Sequence, residues 1–123
     1  MPNFQIRARI ALCAALLGCA AAGLAAESSR TAEDWLAQGL ERKAQGRGEE
    51  ALECFQRAVE ADPDLPEAQY WLGYMLYGLN ESLEEARKHF NRFLELAGDD
   101  PAQADQAAKA RNAVEQIEIE MAR

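Results

Sequence analysis

The stretch Glu49-Glu50-Ala51-Leu52-Glu53-Cys54-Phe55-Gln56-Arg57-Ala58-Val59-Glu60 decides the fold, because much of it returns further along the chain. Glu49-Glu50-Ala51 returns as Glu84-Glu85-Ala86, Phe55 as Phe90, Arg57 as Arg92 and Glu60 as Glu95, each 35 residues on. Upstream, Gly39 returns as Gly73 at a spacing of 34. The second unit therefore carries one extra residue in its internal turn. A period of this length belongs to stacked pairs of helices. Gly39 and Gly73 each lie inside a helical pattern, where glycine costs about 1 kcal/mol relative to alanine. A close helix–helix approach would offset that cost. Ala51 and Ala58 offer small surfaces and Phe55 and Phe90 large ones, so two antiparallel helices can interdigitate.

The punctuation between these patterns predicts five helices, over 32–45, 48–61, 65–79, 82–97 and 101–122. Gly46 and Gly48 mark the turn inside the first unit. Ser82-Leu83-Glu84-Glu85 reads as a capping box, in which a hydroxyl and a carboxylate satisfy orphan amides at a helix start. Asp100-Pro101-Ala102-Gln103 reads as a second, with proline at the first helical position, and Asp64-Leu65-Pro66-Glu67 as a third. The last helix has an apolar stripe at Ala107, Ala110, Val114, Ile117 and Met121. Its other side carries Asp105, Lys109, Glu115 and Glu118, so one face docks and the other meets water.

Taken together, Trp35, Gly39, Ala51, Phe55, Ala58 and Pro63, followed by Leu72, Gly73, Ala86, Phe90 and Pro101, resemble the tetratricopeptide repeat. That pattern runs Trp-x2-Leu-Gly-x2-Tyr, then Ala-x3-Phe, then Pro. The chain departs from it at Gln38 and Arg42 in the first unit. In the second, Gln69 stands at the Trp position and Phe93 where the first unit has Ala58. The resemblance implies an all-α fold: two helix-turn-helix units, 32–65 and 66–101, in a short right-handed α-solenoid, closed by a capping helix over 102–123.

Ahead of the repeats, Arg7 and Arg9 precede a run from Ile10 to Ala26 without a charged residue, and charge returns at Glu27. A basic end, an apolar run and then small residues make the layout of an export signal. Residues 1–26 are therefore expected to be a signal peptide and 27–31 a short linker. The run is short and alanine-rich, which makes it a poor permanent span. Two cleavage readings stand side by side. Leu16-Leu17-Gly18-Cys19 resembles a bacterial lipobox, which implies lipidation of Cys19 and an outer-membrane destination. Cleavage after Ala25 or Ala26 instead releases a periplasmic protein and discards Cys19 with the signal.

Composition narrows the function classes. The chain has 123 residues, with 13 Lys and Arg against 21 Asp and Glu, for a net charge of -8. That balance argues against nucleic acid, whose phosphates are held by clustered bases. No Gly-rich phosphate loop, Ser-His-Asp set or paired-Cys spacing is present. Cys54 and the single histidine, His89, fall at equivalent repeat positions, but a metal site needs three or four ligands. No cofactor, metal or catalytic residue is expected. Past residue 26 the one cysteine is Cys54, read as a small buried hydrophobe.

In the family it resembles, the first helix of each unit lines a concave face where partners lie. The candidate groove residues are Leu36, Leu40 and Lys43 in the first unit and Tyr70, Tyr74 and Tyr77 in the second. The three tyrosines are all the chain has, and their spacings of four and three share one helix face. They would make a peptide-sized groove, or else pack against neighbouring helices, since Trp71, Leu72, Met75 and Leu76 nearly encircle the same helix. The Lys and Asn clamp that chaperone-type members use on a C-terminal carboxylate has no counterpart at Leu36, Leu40, Trp71 and Tyr74. The expected role is a non-catalytic protein- or peptide-binding adaptor or scaffold of the bacterial cell envelope, touching membrane only through a lipid anchor. The alternative is a self-associating structural protein, because two repeats are few for a stable array.

Overall fold

The computed structural model describes residues 30–79 and 82–123. The expected signal peptide with Cys19 lies outside them. Five α-helices follow one another: α1 (Ala32–Ala44), α2 (Gly48–Ala61), α3 (Pro66–Gly78), α4 (Leu83–Ala97) and α5 (Ala104–Ala122), with a 3-10 turn over Pro101–Gln103 ahead of α5. Each helix packs on the next, and α1 also touches α3. The result is two stacked hairpins, α1–α2 and α3–α4, with α5 laid against α4. The described residues contain no strand.

The helix starts show which local rules hold. Thr31 and Asp34 form a reciprocal box at the head of α1. Thr31 Oγ1 accepts from the Asp34 N–H at 3.2 Å, and the Asp34 carboxylate accepts from the Thr31 N–H at 3.1 Å. At α4, Ser82 accepts from the Glu85 N–H at 3.3 Å, but the Glu85 carboxylate turns to Lys88 and His89 instead. At the 3-10 turn, Asp100 accepts from the Ala102 N–H at 3.0 Å. Gln103 has no donor to reach back to, because the Asp100 N–H already donates to the Ala97 carbonyl at 3.1 Å. Its Oε1 is left buried and unpartnered.

The third expected box does not form. Leu65 holds the N-cap position of α3 without a side-chain bond, and Pro66 opens the helix. Asp64 is taken by Arg92, which donates to it at 2.7 Å from α4. A long-range ion pair has replaced a local cap.

The core runs through both hairpins. Phe55, Phe90 and Phe93 are among its largest fully enclosed side chains. Gly39 faces the Phe55 ring and Gly73 the Phe90 ring, which is the close approach that the two glycines permit. Trp71 carries the aromatic packing across the boundary between hairpins, stacking on Phe55 with centroids 6.2 Å apart. Ala107, Ala110 and Ile117 of α5 are buried against this core, and Val114 packs at its edge. Met121, expected on the docked stripe, is instead 45% exposed, as is Ile119 at 44%. The helix has 19 residues against 15 in α4, so its last turn outruns the surface it packs on.

Gln69, at the position where the family pattern has Trp, is the buried polar residue among the described residues, at 4% exposure. Its Nε2 donates to the Pro63 carbonyl at 2.9 Å, and its Oε1 lies 2.7 Å from His89 Nδ1. With the amide oriented in this way, His89 Nδ1–H is the donor and Nε2 carries the lone pair, 3.9 Å from Glu85. The network ties the turn between hairpins to α4.

Burial lowers the His89 pKa below its ordinary 6.5; the Glu85 carboxylate opposes that shift and Lys88 adds to it. The folded state therefore holds fewer protons than the unfolded chain across this interval. The stability of the neutral, hydrogen-bonded imidazole is complete above pH 6.5 and is lost as pH falls through the lower folded value. Thermal melts from pH 7.5 to 5 should show this decline. His89→Gln, which keeps a donor for Gln69, should flatten it; an unchanged slope would remove His89 as its source.

Candidate functional site

A cleft opens between α3 and α5. Tyr70, Tyr74 and Tyr77 line it from α3, with Phe90 from α4, and Lys109, Asn112, Ala113 and Gln116 from α5; its volume is about 330 Å3. It exists because the alternation of helices leaves α3 and α5 one layer apart, both resting on α4. Neither helix fills the space between them.

The three tyrosines divide by depth. Tyr70 is 3% exposed and forms the floor. Its ring lies 6.1 Å from Phe90 and 5.2 Å from Phe93, and burial, together with nearby Tyr74, raises its phenol pKa. Tyr74 and Tyr77 are 43% and 37% exposed, which for large aromatic side chains is a substantial apolar surface left in water. The stripe is thus packing at its first member and accessible surface at the next two.

The first-unit candidates divide in the same way. Leu36 is buried in the core and Leu40 is half-buried against it; neither lines the cleft. Lys43 reaches from α1 over the α3 aromatics, its Nζ 5.0 Å from the Trp71 ring centroid and 5.3 Å from that of Tyr74. A cation over an aromatic face is attracted by the ring quadrupole. This contact holds Lys43 beside Tyr74, outside the set of residues that line the cleft.

Sequence reasoning missed the far wall. Lys109 reads as a solvent-side residue, and Asn112, Ala113 and Gln116 attract no notice. Their spacings of three, one and three from Lys109 onward do place them on one stripe, flanking the docked stripe of Ala110 and Ile117. That adjacency was the available signal.

No group of three or more His, Cys, Asp or Glu side chains among the described residues could hold a metal ion. His89 and Cys54 do not meet in a ligand cluster: His89 is engaged with Gln69, and Cys54 is buried in α2. No described helix is long and apolar enough to cross a membrane. The arrangement can hold a chain or side chain by surface: its lining is aromatic, amide and lysine side chains, with no carboxylate, histidine or cysteine among them.

Stacked hairpins, a closing helix and a tyrosine-lined cleft define a helical-repeat module. The tetratricopeptide repeat model matches residues 36–101, and the chain belongs to the tetratricopeptide repeat family. No curated protein matches it. Among solved structures it is similar to the type III secretion translocator chaperone SycD of Yersinia enterocolitica, at 20% identity over 75% of this chain and 63% of that one, with a TM-score of 0.67. The chain therefore spans less than two thirds of SycD. SycD in complex with a peptide of the translocator YopD aligns at 20% identity over 73% of this chain and 68% of that one, TM-score 0.66. A tetratricopeptide repeat domain protein from Salinibacter ruber aligns at 23% identity over 71% and 96%, TM-score 0.60.

Proposed function

We propose that this protein is a non-catalytic adaptor that binds an extended segment of another protein in the cleft between α3 and α5, and that it works in the bacterial cell envelope. The observation that carries this reading is the cleft itself, with Tyr74 and Tyr77 substantially exposed above a buried Tyr70 floor. Rigid aromatic surface with few rotatable bonds binds peptide at low entropic cost. The fold it shares with SycD, which has been solved with a translocator peptide, supports the same kind of use. Envelope placement rests on the basic and apolar pattern of residues 7–26. The mass of the mature N-terminus would separate the lipidated form, beginning at Cys19, from the soluble form.

The test is a selection from displayed peptides, followed by calorimetric titration of the enriched sequences. Tyr74→Ala should weaken binding by about tenfold, or 1.4 kcal/mol, as expected for an aromatic anchor. Its melting temperature should fall by only a few degrees, because the side chain is partly in solvent although it packs on Trp71. Glu84→Ala, on the exposed side of α4, should leave binding intact. Equal affinities of wild-type and Tyr74→Ala protein would remove the cleft as the binding site.

A further inference from the structure

The charge around the cleft does not match the charge of the chain. Acidic residues outnumber basic ones, for a net charge of -8. Arg42, Arg47, Arg57, Lys88, Arg92 and Arg123 all hold carboxylates. Lys43, Arg87, Lys109 and Arg111 are in none of these pairs, and of the four only Lys43 and Lys109 lie at the tyrosines. Both stand near Tyr74, carried by different helices. Lys43 comes from α1 and lies 5.3 Å from the Tyr74 ring centroid; Lys109 comes from α5 and shares the cleft with Tyr74. The residues that line the cleft include this lysine and no acid. An apolar seat flanked by two cations, on an otherwise acidic protein, is a pattern of charge complementarity awaiting its counterpart.

Resting on the adaptor reading above, we propose that the cleft takes an internal, extended segment of a partner protein in which an apolar or aromatic anchor is flanked on both sides by acidic side chains. The anchor sits over Tyr70 between Tyr74 and Tyr77, and the flanking carboxylates meet Lys43 and Lys109. In an extended strand, residues two apart project from the same face at a spacing of about 7 Å. Acids two positions before and after the anchor would therefore bracket the tyrosine seat. A terminal carboxylate supplies negative charge at one point and can serve only one of two lysines carried by different helices. Two separated side-chain carboxylates serve both. The overall charge of the chain opposes an acidic ligand, so any preference for one must arise locally, at these two lysines.

The probe is a set of fluorescein-labelled decapeptides, amidated at the C-terminus, with a central phenylalanine and either glutamate, glutamine or lysine two residues to each side. Binding to the protein is read by anisotropy. The glutamate peptide should bind about fivefold tighter than the glutamine peptide, the range that partly exposed charge-assisted contacts support. Lys43→Gln and Lys109→Gln should each reduce the ratio. The double variant should reverse it, because only the general repulsion then remains. Equal binding of the glutamate and glutamine peptides, a preference for lysine, or a ratio untouched by the double variant would overturn this inference. In those cases the adaptor reading stands if Tyr74→Ala still weakens both peptides. A glutamine peptide with a free C-terminal carboxylate that matches the amidated glutamate peptide would also overturn it, by assigning the lysines to a chain end. Failure of every peptide to bind at millimolar concentration would overturn both readings.

Discussion

Replacing Gly39 by alanine should destabilise the protein by about 1–3 kcal/mol, the cost of overpacking a filled core, while the same change at Gly73 should be nearly neutral. The two glycines are equivalent in the repeat but not in their surroundings. A Cβ at position 39 would lie 2.5 Å from Phe55 Cε1 and 2.7 Å from Cδ1. The Phe55 ring is fully enclosed and stacked against Trp71, so it has nowhere to go. At position 73 the nearest atoms are Phe90 carbons at 3.1 to 3.2 Å, a distance that shifts of a few tenths of an ångström relieve. The gain of about 1 kcal/mol from replacing a helical glycine then offsets what strain remains. Thermal denaturation should show Gly39→Ala melting about 5–15 °C lower and Gly73→Ala within about 4 °C of the parent. Phe55→Leu combined with Gly39→Ala should recover part of the loss. Equal effects at both positions would mean that the difference in ring clearance does not govern stability.

The second large effect concerns α5. A chain ending at Asp100 should lose roughly 3 kcal/mol or more, set against a total of about 5–15 for a domain of this size. Ile117 is fully enclosed, and Ala107 and Ala110 are buried beside it. Enclosing an isoleucine side chain is worth about 1.5–3 kcal/mol by itself. Removing the helix also returns part of the Phe90 and Phe93 surface to water, so light scattering should detect association along with the lower melting temperature. Ile117→Ala is the graded version, at about 2–4 kcal/mol. The truncated chain should also fail to bind any peptide selected by the parent, because Lys109, Asn112, Ala113 and Gln116 form one wall of the cleft. A truncated chain that melts with the parent would show that α5 is no structural cap.

Much of this architecture is legible from residue spacing. The pairs Phe55 and Phe90, Ala51 and Ala86, and Gly39 and Gly73 are local consequences of one repeated packing problem, and periodicity records them directly. Helix ends are legible for the same reason, since a cap is satisfied within three or four residues. Contacts that join distant segments escaped. Asp64 reads as a cap, yet Arg92, 28 residues away, captures it. Gln69 reads as a departure from the family pattern, and nothing local reveals that His89 and the Pro63 carbonyl complete its bonding. At the site, the helical face of Tyr70, Tyr74 and Tyr77 is visible in sequence. Their division into floor and surface is not, because it depends on how far α5 stands from α3. Leu36 shows the converse: its place on a first helix suggests groove, while the stacking of α1 on its neighbours sends it inward.

The placement of the two tryptophans has one more consequence. Trp35 lies in α1 under the Arg57 guanidinium, 4.9 Å from its ring, whereas Trp71 lies in α3 stacked on Phe55 and in contact with the Lys43 ammonium. Each hairpin thus owns its own intrinsic fluorophore, one set against Arg57 of α2 and one adjoining Tyr74 at 5.4 Å. Emission from a Trp35→Phe protein reports occupancy of the seat without a dye, and emission from a Trp71→Phe protein serves as the silent reference.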